Sequence, residues 1–200
     1  MSNSVSIQPV GNHVSRWGEG PRFWNNSLLY VDIEGHALIR LCLDPIHEDV
    51  WDVGERIGTV APTRDGSLLC AGDSGISSFC LQGAEKKLLV DPESHKRPDN
   101  RFNDGLCDPS GRFWAGTMST TKQTGDASLY MLDHEGCLHK KIDHVTNSNG
   151  ICWNTTASLM YYIDTPTKKV LAYTFDNTTG NIGTPTELID IETAGIEGSP

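Results

Sequence analysis

Three residues with oxygen-bearing side chains lie at similar distances before three apolar strand segments. Two of them are adjacent to a glycine, and one is separated from a glycine by a single residue. Glu19 lies nine residues before an apolar pair that begins at Leu28, and Asn103 and Asn149 each lie ten residues before a comparable marker. A carboxylate and two amides suit a hard divalent cation such as Ca²⁺, Mg²⁺ or Mn²⁺, with water or substrate completing the shell. If the three positions converge in space, they predict one metal site.

The same residues also have a simpler interpretation as turn residues. Gly18-Glu19-Gly20, Asn103-Asp104-Gly105 and Asn149-Gly150 are all ordinary turn sequences, and each one taken singly is more often a turn than a metal site. Their shared position in the repeat favours convergence. The second repeat has only Thr59 and Val60 at this position, so we expect no ligand from it.

The matching positions follow from a repeat that runs through the chain. Four copies of a polar turn followed by an apolar strand are marked by Leu28, Leu68, Phe113 and Leu159, at intervals of 40, 45 and 46 residues. This is the period of a propeller blade. Two alternating strands follow each copy, and an apolar segment precedes it, at 14–24, 57–63, 102–107 and 149–153.

These patterns predict an all-β protein made of four-stranded blades, whose innermost strands line a central channel. An irregular β-sandwich is the alternative, because such domains also have short strands at regular spacing. A propeller removes exposed strand edges by closing its ring, and four blades do not close one. We therefore expect residues 1–200 to be a single incomplete propeller domain that lacks its C-terminal blades.

Charge and hydropathy narrow the possible partners. The chain has 26 acidic and 16 basic residues, a net charge of -10, which disfavours nucleic acid and anionic membranes as partners. No apolar stretch approaches the roughly 18 residues of a membrane span, and residues 1–10 lack the pattern of a secretion signal. We predict a cytoplasmic protein. Its six scattered cysteines are predicted to be reduced and buried.

Several motifs, specific in combination, resemble the SMP-30/gluconolactonase/regucalcin family, which includes luciferin-regenerating-enzyme-like proteins. The similarity extends from about residue 16 to residue 200. It rests on Gly18-Glu19-Gly20-Pro21, Leu29-Tyr30-Val31-Asp32-Ile33, Arg101-Phe102-Asn103-Asp104-Gly105, Asp108-Pro109, Gly111-Arg112, Trp114-Ala115-Gly116-Thr117-Met118, Ser148-Asn149-Gly150 and Tyr162-Ile163-Asp164-Thr165. The resemblance implies a six-bladed propeller with one divalent metal in its channel that opens the lactone ring of aldonic acids.

By the same resemblance, the site residues can be assigned roles. Glu19 and Asn149 resemble two metal ligands of the family, and Arg101 and Asn103 resemble residues that hold the oxygens of the substrate. We expect Asp104 to support the site without contacting the metal, by holding Asn103 or the turn that contains it. The metal would polarise the lactone carbonyl and acidify water, while a carboxylate manages the proton.

Two features of the sequence depart from this pattern. The family's third metal ligand, which also acts as its acid/base, is an aspartate that directly follows a Ser-Pro or similar dipeptide, and this sequence ends at Ser199-Pro200. The catalytic aspartate is therefore expected just beyond Pro200. Many relatives also carry an acidic residue near the substrate after Thr117-Met118, where this chain has Ser119, Thr120 and Thr121.

Three functions are compatible with these observations. The first is metal-dependent hydrolysis of a sugar lactone such as gluconolactone, with Ca²⁺, Mn²⁺, Mg²⁺ or Zn²⁺ as the cofactor. The second is a non-catalytic calcium-binding or interaction propeller, because the fold alone does not determine function. The third is hydrolysis of another lactone or ester. In each case we expect residues 1–200 alone to have little or no lactonase activity and marginal stability, because an open blade edge exposes apolar strand faces.

Overall fold

The computed structural model describes residues 5–200, so the first four residues of the N-terminal segment lie outside it. Within residues 5–200, sixteen strands form four antiparallel sheets of four strands, each built from consecutive strands in up-and-down order. Sheet 1 contains β1 (Gly18–Trp24), β2 (Ser27–Asp32), β3 (Ala37–Leu43) and β4 (Ile46–Asp52). Sheet 2 contains β5 (Ile57–Pro62), β6 (Leu68–Gly72), β7 (Gly75–Cys80) and β8 (Glu85–Val90).

The second half of the chain repeats this arrangement. Sheet 3 contains β9 (Asn100–Cys107), β10 (Phe113–Ser119), β11 (Ala127–Leu132) and β12 (Leu138–Val145). Sheet 4 contains β13 (Ser148–Trp153), β14 (Leu159–Asp164), β15 (Lys169–Asp176) and β16 (Asn181–Asp190). The helical segments are two single 3₁₀ turns, and residues 5–200 contain no helix that is long and apolar enough to cross a membrane.

Local sequence explains the hairpins and the alternation. Asn25 and Asn26 connect β1 to β2 with positive φ values of 46° and 57°, the conformation that a two-residue hairpin turn of type I′ requires and that asparagine tolerates. Along β10, Phe113 and Ala115 pack towards sheet 2, whereas Trp114 between them packs towards sheet 4. Successive side chains of a strand point to opposite faces, so a central sheet carries apolar residues on both.

The core lies between the sheets rather than inside any one of them. One cluster of buried residues, which includes Val31 and Phe79, joins sheets 1 and 2. A second, around Phe102, joins sheets 2 and 3, and a third, around Trp114 and Tyr162, joins sheets 3 and 4. The all-β prediction, the four repeats and their four strands each are confirmed. Four sheets packed in series are not the two-layer sandwich that was the alternative.

The innermost strand of every sheet has an irregularity at the same level. The pairing register shifts between Glu19 and Arg22 in β1, and around Gly58 in β5. It shifts at Asn103 in β9 and between Ser148 and Ile151 in β13. An extra residue in one strand of an antiparallel pair bends that strand and redirects its side chains. Four such bulges at one level therefore turn residues of four sheets towards a common place.

Two predictions about the chain's details are wrong. The first inner strand begins at Gly18 rather than at Val14, which is exposed. Of the six cysteines, all free, only Cys70 is fully buried, and three are exposed: Cys80, Cys137 and Cys152. The reason is their position, since Cys80 ends β7, Cys137 lies in a turn, and Cys152 lies on the face of sheet 4 opposite its core.

Candidate functional site

A cavity of about 140 Å³ lies where the bulges meet. Since a water molecule occupies about 30 Å³ of the liquid, this volume holds an ion with a few waters or part of a small ligand. The five residues proposed from the sequence all line it, together with four others. The lining residues are Trp17, Glu19, Gly58, Arg101, Asn103, Asp104, Met118, Asn147 and Asn149.

Glu19 of sheet 1 lines the cavity. Its side chain is exposed and can accept further hydrogen bonds. It precedes Gly20, whose φ of +61° is readily adopted by glycine and starts the bulge. The indole of Trp17 donates a hydrogen bond from Nε1 to Glu19 Oε1 at 3.3 Å. The carboxylate is therefore oriented by one donor, and its other oxygen is available to a ligand.

Asn149 enters from sheet 4, and Asp104 of sheet 3 holds the turn beside it. Asp104 Oδ2 accepts a hydrogen bond from the backbone N–H of Gly150 at 2.7 Å, and its Oδ1 accepts one from Gly105 N at 2.8 Å. Gly150 has a φ of +79°. The carboxylate of Asp104 thus fixes the backbone on which Asn149 is carried.

Arg101 and Asn103 form one unit at the cavity wall. Arg101 Nη1 donates to Phe102 O at 2.8 Å and to Asn103 Oδ1 at 3.1 Å, while Asn103 Nδ2 donates to the carbonyl of Ser148 at 2.9 Å. Both ends of the Asn103 amide are therefore engaged within the protein. Asn103 joins sheets 3 and 4 and steadies Arg101, and one oxygen lone pair and one amide N–H are left for a ligand.

The guanidinium of Arg101 is buried without a counter-ion. The residue is 7% exposed, no carboxylate within residues 5–200 lies at salt-bridge distance, and its Nε has no partner. Burial lowers the pKa of this guanidinium, and the positive charge of Arg56 lowers it further. An arginine with unused donors in a desolvated wall is suited to bind ligand oxygens.

A second arginine, Arg22, connects the inner strands of three sheets. Its Nε donates to the carbonyl of Val60 at 2.8 Å, and its Nη2 donates to Thr59 Oγ1 at 3.1 Å and to the carbonyl of Gly105. One side chain of sheet 1 thus bonds to sheets 2 and 3. Burial lowers its pKa, and the negative charge of Asp104 opposes that effect.

The second repeat contributes Gly58, not Thr59 or Val60, at the level of the site. Thr59 and Val60 are fully buried, and Thr59 Oγ1 donates to the carbonyl of Gly105 at 2.9 Å. A Cβ atom on Gly58 would lie 2.7 Å from the Cα of Asn103, a distance that real Cβ atoms do not show. Only glycine allows these two strands to approach so closely.

Sequence reasoning missed Trp17, Met118 and Asn147 as lining residues. Trp17 and Asn147 lie directly before β1 and β13, two residues before the proposed ligands Glu19 and Asn149. In an extended chain, residues two apart lie on the same side. That periodicity was the signal that could have found them. Ser119 is turned away from the cavity, because its hydroxyl bonds to the Thr121 hydroxyl at 3.1 Å and accepts from Gln123 N.

A hard divalent cation requires several oxygen ligands. Residues 5–200 contain no cluster of three or more His, Cys, Asp or Glu side chains that could hold a metal. What the cavity offers is the carboxylate of Glu19 and amide oxygens, and the Oδ1 of Asn147 is buried without a hydrogen-bond partner. Oxygen donors with unused capacity fit a hard divalent cation, although the two carried-over ligands, Glu19 and Asn149, alone do not complete a coordination shell.

The chain is similar to known proteins along nearly its whole length. The family "SMP-30/Gluconolactonase/LRE-like region" matches residues 17–200. The protein named "Putative sugar lactone lactonase YvrE" of Bacillus subtilis is 34% identical over 181 residues, which cover 84% of this chain and 58% of that protein. Regucalcin of Danio rerio is 31% identical over 185 residues, covering 90% of this chain and 62% of that protein. The chain thus spans about three fifths of the length of these two relatives.

Solved structures agree with the sequence comparison. A luciferin-regenerating enzyme superposes with a TM-score of 0.87 at 24% identity, covering 93% of this chain and 64% of that one. Regucalcin of Agrobacterium tumefaciens, a calcium-binding protein, superposes with a TM-score of 0.85 at 28% identity, covering 92% of this chain and 62% of that one. By its sequence and by its fold, the chain belongs to the SMP-30/gluconolactonase/LRE-like family.

Proposed function

We propose that this protein is a metal-dependent hydrolase of sugar lactones such as gluconolactone, and that residues 1–200 are about four blades of a single six-bladed propeller domain. The observation that carries the proposal is the meeting of Glu19, Asn149 and Arg101 in one cavity. They come from three different sheets. An anionic ligand and an amide oxygen beside an unpaired guanidinium form a site that can hold a cation and a polar substrate together.

In this proposal Glu19 and Asn149 hold one divalent ion, which when bound would polarise the lactone carbonyl and lower the pKa of water. Ca²⁺, Mn²⁺, Mg²⁺ and Zn²⁺ all remain candidates for that ion. Arg101 donates to oxygens of the substrate, and Asn103 keeps Arg101 in position through the bond to its Oδ1. Asp104 holds the turn that carries Asn149. Each of these residues is therefore given a role in position or charge.

Proton transfer is assigned, on the family resemblance, to an aspartate that follows Pro200. The Pro200 carbonyl accepts a hydrogen bond from Thr165 Oγ1 at 3.4 Å, and Thr165 N donates to the carbonyl of Asn147 at 3.1 Å. These contacts place Pro200 next to Thr165, which is bonded to the cavity-lining residue Asn147. Without that carboxylate, residues 1–200 are expected to bind the metal weakly and to turn over little lactone.

A calcium-binding module without turnover is the second candidate. It is favoured by the solved relative described as a calcium-binding protein and by the hard-oxygen character of the cavity. Hydrolysis of a different lactone or ester is a third, because this chain has Ser119, Thr120 and Thr121 where many members of the family carry an acidic residue near the substrate. These candidates differ in one measurable property, which is metal-dependent turnover of gluconolactone.

The test uses the product of the complete coding sequence. Hydrolysis of gluconolactone is followed after chelation and after addition of Mn²⁺, Ca²⁺ or Zn²⁺, in the wild type and in Glu19→Gln, with the distant, exposed Glu85→Gln as matched control. We expect metal-dependent turnover that Glu19→Gln reduces at least 100-fold and Glu85→Gln leaves intact, since even outer-shell changes cost 10–100-fold. Calcium binding that depends on Glu19 but comes with no turnover of any lactone would establish the second candidate instead.

A further inference from the structure

A second cavity, of about 320 Å³, lies where the turn between β15 and β16 of sheet 4 meets sheet 3. Arg112, directly before β10, lines it, whereas Met118 near the other end of β10 lines the cavity described above. The two cavities are therefore at opposite ends of this strand. The second one is large enough for a small ligand. Its wall contains an amine, two imidazoles and two carboxylates, which belong to Lys141, His134, His139, Asp133 and Glu135.

Lys141 is the extra residue of a β-bulge in β12. Its two neighbours in the chain pair with consecutive residues of β11, so Lys141 itself has no partner in that strand. A bulge of this kind redirects the side chain of the extra residue. The Nζ of Lys141 donates to Asn181 Oδ1 at 3.1 Å and lies 5.7 Å from the centre of the buried Trp114 ring. Asn181 also lines the second cavity, so the amine is held at the cavity wall.

This amine has no counter-ion. No carboxylate within residues 5–200 lies at salt-bridge distance from the Nζ of Lys141, whereas the neighbouring Lys140 is exposed and pairs with Asp143. Burial lowers the pKa of the Lys141 amine, and the positive charge of Arg112 lowers it further. The attraction of the Trp114 ring for a cation opposes both effects. Desolvation and a nearby cation are conditions that activate a lysine as a nucleophile.

An imidazole oriented by a carboxylate lies in the same cavity. His139 Nε2 donates to Asp133 Oδ2 at 2.6 Å, and this bond holds the pKa of Asp133 below its usual value. In the neutral ring the bond leaves the lone pair of Nδ1 free to accept a proton. A nucleophile, a base and a group that orients the base are the parts of an activated nucleophilic site. Lys141, His139 and Asp133 provide these three parts in one cavity.

We propose that Lys141 is a site of covalent modification, at which its amine is acylated by a sugar lactone. Nζ forms an amide bond with the carbonyl carbon, the ring C–O bond of the lactone breaks, and the ring oxygen takes up the proton that Nζ loses, by way of His139. Every atom of the lactone stays in the adduct, so no further reagent is needed. Side chains such as Thr178 and Asn181 offer hydrogen bonds to the hydroxyls of the adduct. The inference goes beyond the proposed function, which it uses only to explain why a lactone is the acyl donor.

The experiment incubates the product of the complete coding sequence with gluconolactone, both as the wild type and as Glu19→Gln, in which the lactone is not consumed at the first cavity. A protease that cleaves after acidic residues releases the peptide 136–143, and fragmentation of this peptide separates adducts on Lys141 from adducts on Lys140. We expect Lys141 to gain the mass of the whole lactone at least about tenfold faster than Lys140 does.

The role of His139 is tested in the same assay. His139→Gln should slow the acylation of Lys141 about tenfold or more, because a positioned general base contributes at least that much. His47→Gln is the matched control, since His47 is an exposed histidine of sheet 1 that bonds to Asp49 in a similar way. It should leave the rate unchanged.

Other results would overturn the inference. Equal rates of acylation on Lys141 and Lys140 would mean that the cavity gives the amine no advantage over an exposed one, and an adduct on Lys140 alone would mean that Lys141 is protected. An adduct on Lys141 that forms equally fast in His139→Gln would refute the role of His139. Failure of the proposed function is a separate outcome, because a wild type that hydrolyses no lactone but is acylated at Lys141 would refute the lactonase and support the modification site.

Discussion

Two arginines of the third repeat are almost equally buried but make different contacts: Arg101 lies in β9, and Arg112 lies directly before β10. Arg112 is 5% exposed and Arg101 is 7% exposed. Arg112 donates from Nε to Asp108 Oδ2 at 2.6 Å, from Nη2 to Asn177 O at 2.8 Å and from Nη1 to Thr178 O at 3.0 Å. Arg101 has no carboxylate partner in residues 5–200, and its Nε is unpaired.

The two arginines therefore have different roles. Arg112 stabilises the fold through its partners, whereas Arg101 keeps donors that a ligand can use. Asp108 also accepts from the backbone N–H of Arg112 and from the indole of Trp114 at 3.0 Å, so that a buried charge is surrounded by partners. This network anchors the turn between β15 and β16 to sheet 3. At the cavity end of β9, donors and acceptors are left unused. The burial of a polar group alone therefore does not show whether the group stabilises the fold or is free to bind a ligand. Its hydrogen-bond partners show which of the two applies.

The largest effect is expected from removing the partner of Arg112. Asp108→Ala leaves a buried guanidinium without its counter-ion, a change that costs about 3–5 kcal/mol in the free energy of unfolding. Denaturant titration measures it. Glu192→Ala, which removes an exposed pair with Lys168, is the control and should cost less than about 1 kcal/mol. A loss below about 1 kcal/mol for Asp108→Ala would mean that Arg112 is no better satisfied than Arg101.

A smaller effect, on a different property, is expected from Arg101→Met. This substitution removes a buried charge that has no carboxylate partner, together with the hydrogen bonds to Phe102 O and Asn103 Oδ1. The two effects oppose each other, so the free energy of unfolding should change by less than about 1.5 kcal/mol. Substrate binding should suffer, because hydrogen bonds from charged donors are worth about 1.5–3 kcal/mol, or roughly 10–100-fold in kcat/KM for gluconolactone. Arg101→Lys keeps the charge without the planar fork and should recover only part of the loss. A destabilisation as large as that of Asp108→Ala would show that Arg101 is structural.

The smallest effect is expected from Asp104→Asn, at the cavity end of the strand that leads to Asp108. The amide keeps one acceptor oxygen, so only one of the bonds to Gly105 N and Gly150 N is lost. Supporting residues of this kind typically change metal affinity 10–100-fold, and we expect about tenfold weaker binding of Mn²⁺ or Ca²⁺ by titration. Unchanged affinity would mean that Asn149 is not positioned through Gly150, or that it does not bind the ion.

Local sequence predicted the repeat, the all-β class and most strand positions, because alternation of apolar residues and turn-forming pairs such as Asn25-Asn26 act over a few residues. The shared position of Glu19, Asn103 and Asn149 in the repeat was enough to predict that all three line one cavity, as they do. Residues at similar positions in successive repeats lie at the same level of successive sheets. This part of the site can therefore be predicted from spacing along the sequence.

Only the tertiary structure decided which polar atoms are already used. That Asn103 is engaged at both ends, that Asn147 has a free oxygen and that Arg112 is paired while Arg101 is not all depend on contacts between strands far apart in sequence. The same holds for Gly58, which is needed because the backbone of Asn103 passes against it. Hydrogen-bond satisfaction is a property of packed neighbours, and a residue's type and spacing do not contain it.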